Sequence, residues 1–342
     1  MKVSVASYHA VSLLHGGPNT QIRGTMKHMS DHGIEVSYFD SWKQFNKEDC
    51  DLVHLFGANI GTYHLAREIH TLGIPLVVTP IIYSNHSAGF VRRALSLHRL
   101  MRKLGRGLWS DYGIAVEICS WAKRILPNTQ AEANLLHHGF GVRESTITVI
   151  PNGVDERFAN GDRSLFKNKY GLDGFILNVG HIGHARKNVL TLIQALGEIN
   201  HPSVIIGRVI KNEYGDACVR EARKHKQILM IDGLDNGSDM LASAYAACDV
   251  FVLPSMFETP GIAALEAGLA GAKIVITPHG GTREYFRDMA TYVDPKSVTS
   301  IRDGITKAVS TTGTSLLRDH IQREYLWSRI AEKTARAYRE VL

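Results

Sequence analysis

The chain has 342 residues, of which 44% are hydrophobic and 21% charged, and a formal net charge of +6. That length is too great for one ordinary core and predicts two domains. No uninterrupted apolar run approaches the ~20 residues that cross a bilayer, which excludes a transmembrane helix.

The first apolar run, residues 3–7, follows Met1 and Lys2 and superficially resembles a signal peptide. It is short and broken by Ser4, Ser7, Tyr8 and His9, so it predicts a buried strand instead. "GGPNT" (16–20) comes next, then a helical pattern over 20–32 and strands at 36–39, 52–56 and 76–79. Asp49 and Asp51 in "EDCD" (48–51) precede the strand at 52–56 rather than follow it, so they read as strand-entry polarity and not as a metal pair.

Residues 69–110 contain no acid, while Arg92, Arg93, Arg99, Arg102, Lys103 and Arg106 all fall there. Within residues 90–109, Phe90, Ala94, Leu97, Met101, Leu104 and Leu108 recur at helical spacing. This predicts a basic amphipathic helix with two open readings. It lies on an anionic membrane surface, or it packs on the core with a solvated basic back.

Strands at 124–127 and 148–150, with a helix at 131–137 between them, complete the first half. The Gly-, Asn- and Asp-rich "IPNGVDERFANGDRS" marks a break, giving domains at 1–155 and 156–325. A second set of strands follows at 175–179, 203–206, 228–231, 250–253 and 273–277, with helices at 189–200 and 240–247. Strand and helix alternate throughout, which predicts an α/β protein of two doubly wound parallel sheets with a cleft between them. The amphipathic tail, 326–342, either finishes the second domain or packs back on the first. Cys50, Cys119, Cys218 and Cys248 are scattered without a CxxC pair, which predicts a reducing, cytoplasmic setting and no zinc site.

The chemistry concentrates in "PSMFETPGIAALEAGLAGAKIVITPHGG" (254–281), where Glu258 and Glu266 interrupt an apolar run. A buried carboxylate is costly unless it is paired or protonated. Either the two are solvated or core-paired, or they hold a ligand. Thr259 suits an N-cap and Pro260 a first helical residue, which would put Glu258 on the loop and Glu266 about two turns into a helix. The amides of Thr259, Pro260, Gly261 and Ile262 would then mark the helix start, where anions bind, although proline itself has no N–H to give. Arg186 and Lys187 precede the helix from Val189, where cations are unfavourable unless an anion joins them.

Several segments together resemble the retaining GT-B glycosyltransferases, specifically glycosyltransferase family 4. "ETPGIAALEA" resembles the family's E-x7-E element, "AACDVFVLPS" (246–255) the segment before it, and "GAKIVITPHGGTRE" (271–284) the segment after it. "VIPNGVD" (149–155) resembles the interdomain turn, "LNVGHIGHARKN" (177–188) the phosphate-binding strand-loop, and "GGPNT" the glycine-rich first loop.

The resemblance implies a GT-B fold of two Rossmann-like domains, with the acceptor in the first and the nucleotide sugar in the second. It implies a hexosyltransferase-type enzyme that moves a sugar, with retention, from a nucleoside-diphosphate sugar to a lipid-linked, polysaccharide or other glycan acceptor. No metal or other cofactor is implied, and no nucleic-acid partner. Arg186 and Lys187 would take the diphosphate, Glu258 the transferred sugar and Glu266 the ribose, with Gly16 and Gly17 approaching the donor closely. The chain departs from the family at His181, which stands where a basic residue is usual, and at Pro80, which stands where many members have a sugar-contacting His. His86 would substitute for the latter. The alternatives are a nucleotide-sugar epimerase or hydrolase on the same scaffold, or a carbohydrate-binding scaffold without catalysis. The expected setting is cytoplasmic and peripheral at the inner face of the membrane, through 90–109.

Overall fold

A computed structural model describes residues 1–13, 16–84, 86–104 and 109–342. It divides into two compact units, Met1–Gly153 with Trp327–Leu342, and Val154–Leu326.

The first unit is built on β1 (Lys2–Ser7), β2 (Glu35–Tyr38), β3 (Leu52–Phe56), β4 (Leu76–Thr79) and β5 (Arg124–Ile125), paired in parallel in the order β2-β1-β3-β4-β5. Every residue of β3 and β4 is buried, as befits strands covered on both faces. Val53, Leu55, Leu76 and Val78 pack on one face with Tyr63, Ala66, Ile114 and Ile118 of the helices Ile60–Thr71 and Asp111–Trp121. Val3, Val5, Leu52, Phe56 and Val77 pack on the other with Ile22 and Met26, and with Trp327, Ile330, Ala331 and Tyr338.

The tail therefore returns to the first unit as the helix Trp327–Arg339. Its deepest tie is polar. The Tyr338 hydroxyl lies 2.6 Å from Nδ1 of His54, whose Nε2 lies 2.9 Å from Thr79 Oγ1. Burial pushes the His54 pKa down to about 3, so the ring is neutral and fits an apolar layer.

Two expectations for this unit change. Residues 148–150 form no strand; Thr148 and Ile150 donate single main-chain bonds to Ile125 and Pro127. Pro127 and Pro151 lack the N–H that would extend the ladder. The helix expected over 90–109 spans Ala88–Leu104, and Arg106 and Leu108 lie outside the described residues. Val91 and Leu95 bury it, while Phe90, Leu97, Leu100 and Met101 are 52%, 58%, 56% and 41% exposed. Of the apolar stripe read from the sequence, Phe90, Leu97 and Met101 thus face outward, because the line through 91 and 95 makes a second, core-facing stripe at the same spacing.

The second unit carries β6 (Phe175–Val179), β7 (Ser203–Ile206), β8 (Ile228–Ile231), β9 (Cys248–Leu253), β10 (Lys273–Ile276) and β11 (Thr291–Tyr292). Their parallel order is β11-β10-β9-β6-β7-β8. The chain runs outward from β6 to β8, then restarts beside β6 at β9. The carboxyl ends of β6 and β9 therefore flank the topological switch point, where open α/β sheets bind ligands.

Candidate functional site

The two segments that leave β6 and β9 are clamped together by main chain and by one asparagine. Asn188 adopts a left-handed conformation (φ 57°), and its Nδ2 donates to the carbonyls of Pro254 (2.9 Å) and Pro295 (2.6 Å). Met256 N donates to the Arg186 carbonyl at 2.8 Å. The turn Ala185–Lys187 is thereby held against the loop that carries Glu258.

Lys187 Nζ lies 2.6 Å from Glu258 Oε1, and Arg186 Nη1 lies 3.6 Å from the same oxygen. Arg186 also donates to the Phe257 carbonyl and rests over the Phe257 ring. The Glu258 main chain is fixed by bonds to His279 and Gly281. Gly280 makes this possible: its φ is 94°, and a Cβ there would fall 2.0 Å from the Glu258 carbonyl oxygen. Burial pushes the Glu258 carboxyl upward, but the Lys187 and Arg186 charges outweigh burial and the net shift is down. Glu258 is ionised and buried, with two cations beside it.

Glu266 lies in the helix Ile262–Ala270. Thr259 does not cap this helix and Pro260 does not begin it. Gly261 takes the cap position with φ 80°, and the helix starts two residues later than the sequence suggests. A left-handed residue reverses the chain more sharply than a Thr-Pro start, and a Cβ at Gly261 would also meet Leu253 at 3.0 Å. Glu266 is consequently one turn into the helix rather than two. The first-turn amides available to an anion are those of Ile262 and Ala263, because Ala264 N and Leu265 N donate to the Gly261 carbonyl.

Glu266 has neutral partners. The Tyr245 hydroxyl donates to Oε2 at 2.7 Å and Asn236 Nδ2 donates to Oε1 at 3.1 Å. Burial pushes its pKa up to about 7, against the pull of those two bonds and of the Arg157 charge. Tyr245, Asn236, Arg157 and Asn188 were not visible as site residues in the sequence. The one available signal was Tyr245, a buried tyrosine whose hydroxyl requires a partner.

The other predicted residues divide between the units. Thr259, Pro260, Gly261 and Ile262 adjoin Glu258, and His181 lies in the segment after β6, with its ring 6.3 Å from that of His184. Gly16, Gly17 and His86 belong to the first unit. Gly16 is extended (φ −170°) and precedes the helix Gly17–Lys27 at the carboxyl side of β1. His86 is exposed and stacks on Phe90 at 4.4 Å. Among the described residues no group of three His, Cys, Asp or Glu side chains could hold a metal ion.

A family model described as Glycosyltransferase Family 4 matches residues 36–158, and one described as Glycosyl transferases group 1 matches residues 162–325. The chain belongs to this glycosyltransferase family. An uncharacterized glycosyltransferase of Methanocaldococcus jannaschii is 30% identical over 220 residues, covering 58% of this chain and 55% of the relative. The chain spans about half the length of the curated relatives it matches. Among solved structures, a sucrose-phosphate synthase from Thermosynechococcus elongatus matches with a TM-score of 0.75 at 16% identity, over 99% of this chain and 98% of the other. Anabaena HepE in complex with UDP and glucose matches at 0.72 and 15%, over 99% and 100%. These likenesses establish the fold as the two-sheet GT-B architecture of this family.

Proposed function

We propose that the chain is a retaining glycosyltransferase that moves a sugar from a nucleoside-diphosphate sugar to a lipid-linked, polysaccharide or other glycan acceptor, with no metal. The observation that carries this reading is Glu258, buried and ionised between Lys187 and Arg186 at the switch point of the second sheet. Two cations beside one carboxylate leave a positive surplus where a ligand would bind. A diphosphate leaving group gains negative charge as its bond to the sugar breaks, and fixed cations stabilise that charge.

The side chain of Arg186 is 41% exposed and free to take phosphate oxygens, while Lys187 is the more enclosed. Glu258 accepts hydroxyls of the transferred sugar and Glu266 those of the ribose, with the amides of Ile262 and Ala263 near the phosphate. His181 adds a contact from the segment after β6. Gly16, Gly17 and His86 are assigned to the first unit's share of binding. The fold shared with HepE, solved with UDP and glucose, supports a nucleotide sugar as donor.

The test is thermal stabilisation by UDP, GDP, ADP and TDP, each with and without EDTA. A ligand at 100 times its Kd adds about 2.7 kcal/mol of stability. One clear shift that survives EDTA is the expected result. No shift with any of the four would overturn the reading.

The helix Ala88–Leu104 supports a membrane surface as a second partner. Phe90, Leu97, Leu100 and Met101 face solvent beside exposed Arg92, Arg93 and Arg99. A helix of this kind lies in the plane of an anionic bilayer, apolar side down and basic flank on the headgroups. Replacing the three arginines by Gln should weaken binding to anionic liposomes at least tenfold, at ~1 kcal/mol per charge, and leave the nucleotide shift intact. Undiminished liposome binding would remove the membrane from the proposal.

A further inference from the structure

At the carboxyl edge of the first sheet, one residue is held in a conformation that its side chain disfavours. Ile81, two residues beyond β4, has φ 55°. A β-branched residue in the left-handed region is a true outlier and costs on the order of 1–3 kcal/mol. It persists because its neighbours are tied on both sides. Ala58 N donates to the Pro80 carbonyl at 2.9 Å, and Ile82 N donates to Glu132 Oε1 at 2.7 Å.

Glu132 is only 3% exposed. Its second oxygen, Oε2, accepts from Asn128 N at 2.8 Å, just beyond β5. Asn128 Oδ1 in turn accepts from Gln21 Nε2 at 2.7 Å, on the helix that begins at Gly17. One buried carboxylate thus joins the segments leaving β4 and β5 and, through Asn128, the helix that follows β1. At the far end of the loop, Ser84 Oγ lies 2.8 Å from the Tyr112 hydroxyl. A glutamine could not replace Glu132 in this role. One end of its amide is a donor and would meet a main-chain N–H head on.

The strand ladder needs none of this, because β4 already ends at Thr79. Strain maintained at the ligand-binding edge of an open sheet, by a buried carboxylate side chain, points to use rather than to stability. We propose that Glu132 is a positioning residue for transfer: it holds the Ile81–Ile82 peptide in its strained turn, so that this main chain meets the acceptor's hydroxyls. This rests on the transferase reading above and assigns it a device on the acceptor side.

The experiment uses the full chain and its Glu132→Gln and Ile81→Gly variants. Release of nucleoside diphosphate from UDP-, GDP- and ADP-glucose is followed with octyl glucoside as acceptor probe, alongside thermal stability and the nucleotide shift. Glu132→Gln should lose at least tenfold in kcat at unchanged donor KM and unchanged nucleotide shift, while Ile81→Gly, which holds φ 55° without strain, should keep kcat within about twofold. Undiminished kcat in Glu132→Gln, or an equal loss in both variants, overturns the inference alone. A wild-type chain that shifts with no nucleoside diphosphate breaks the transferase reading, and the inference falls with it.

Discussion

Glu258 and Glu266 stand on one short stretch, 6% and 3% exposed, and they titrate in opposite directions. Glu258 sits on a loop within reach of Lys187 and Arg186, so its charge is held. Glu266 sits in a helix under a tyrosine and an asparagine, so burial wins and its proton is held until about pH 7. The difference shows that equal burial does not fix a carboxylate's state. The charge of the groups that face it does. It also separates the surroundings: Glu258 stands beside two cations, Glu266 beside a neutral hydroxyl and a neutral amide.

The strongest way to break that contrast is Lys187→Met. It leaves a buried carboxylate with Arg186 alone, at 3.6 Å. Removing one partner of a buried pair typically costs about 3–5 kcal/mol, and turnover should fall at least 100-fold. Urea denaturation with steady-state kinetics checks both, and near-wild-type values would show that Glu258 does not depend on its cation.

The next effect is on stability against pH. The Glu266 pKa is raised from 4.5 to about 7, so the native state keeps a proton that the unfolded chain has lost. Its contribution is present below pH 4.5 and is lost as pH rises towards 7, a decline of at most about 3 kcal/mol. Glu258 acts in the opposite sense: its pKa is lowered, so its contribution is present above the ordinary carboxylate value and is lost in acid. Glu266→Gln should flatten the decline between pH 4.5 and 7 and leave the acid loss in place. Urea midpoints from pH 4 to 8 measure it.

The smallest effect sharpens the contrast. Tyr245→Phe removes the donor at Oε2 and should cost about 1–2 kcal/mol. It also removes a bond that favours the charged form, so the decline should move to higher pH. A decline that stays in place would mean that the hydroxyl does not hold the carboxylate.

Much of the fold was legible because parallel strands covered on both faces leave continuous apolar runs. The strands at 52–56, 76–79, 175–179, 203–206 and 228–231 have the limits read from the sequence. Local signals failed where long-range geometry decides. Thr259-Pro260 looks like a helix start, and only the turn at Gly261 shows that it is not. The apolar line through Phe90 and Leu97 reads as well as the one through Val91 and Leu95, and only the packed core distinguishes them. Glu266 and Lys187 were visible as residue types. That Tyr245 is the partner of one, and that Glu132 closes a turn fifty positions away, are facts of tertiary pairing with no local trace.

The return of the tail helix orders the birth of the protein. Synthesis runs from the amino end, so residues 154–326 emerge as an uninterrupted block with all the strands of their sheet. The first unit, though begun earlier, lacks Trp327, Ile330 and Tyr338 until the tail has been made. Until then one face of its sheet is covered only in part, by Ile22 and Met26, and His54 waits without the hydroxyl that will meet it. Of the two units, the one whose first strands are made earlier is the one completed later.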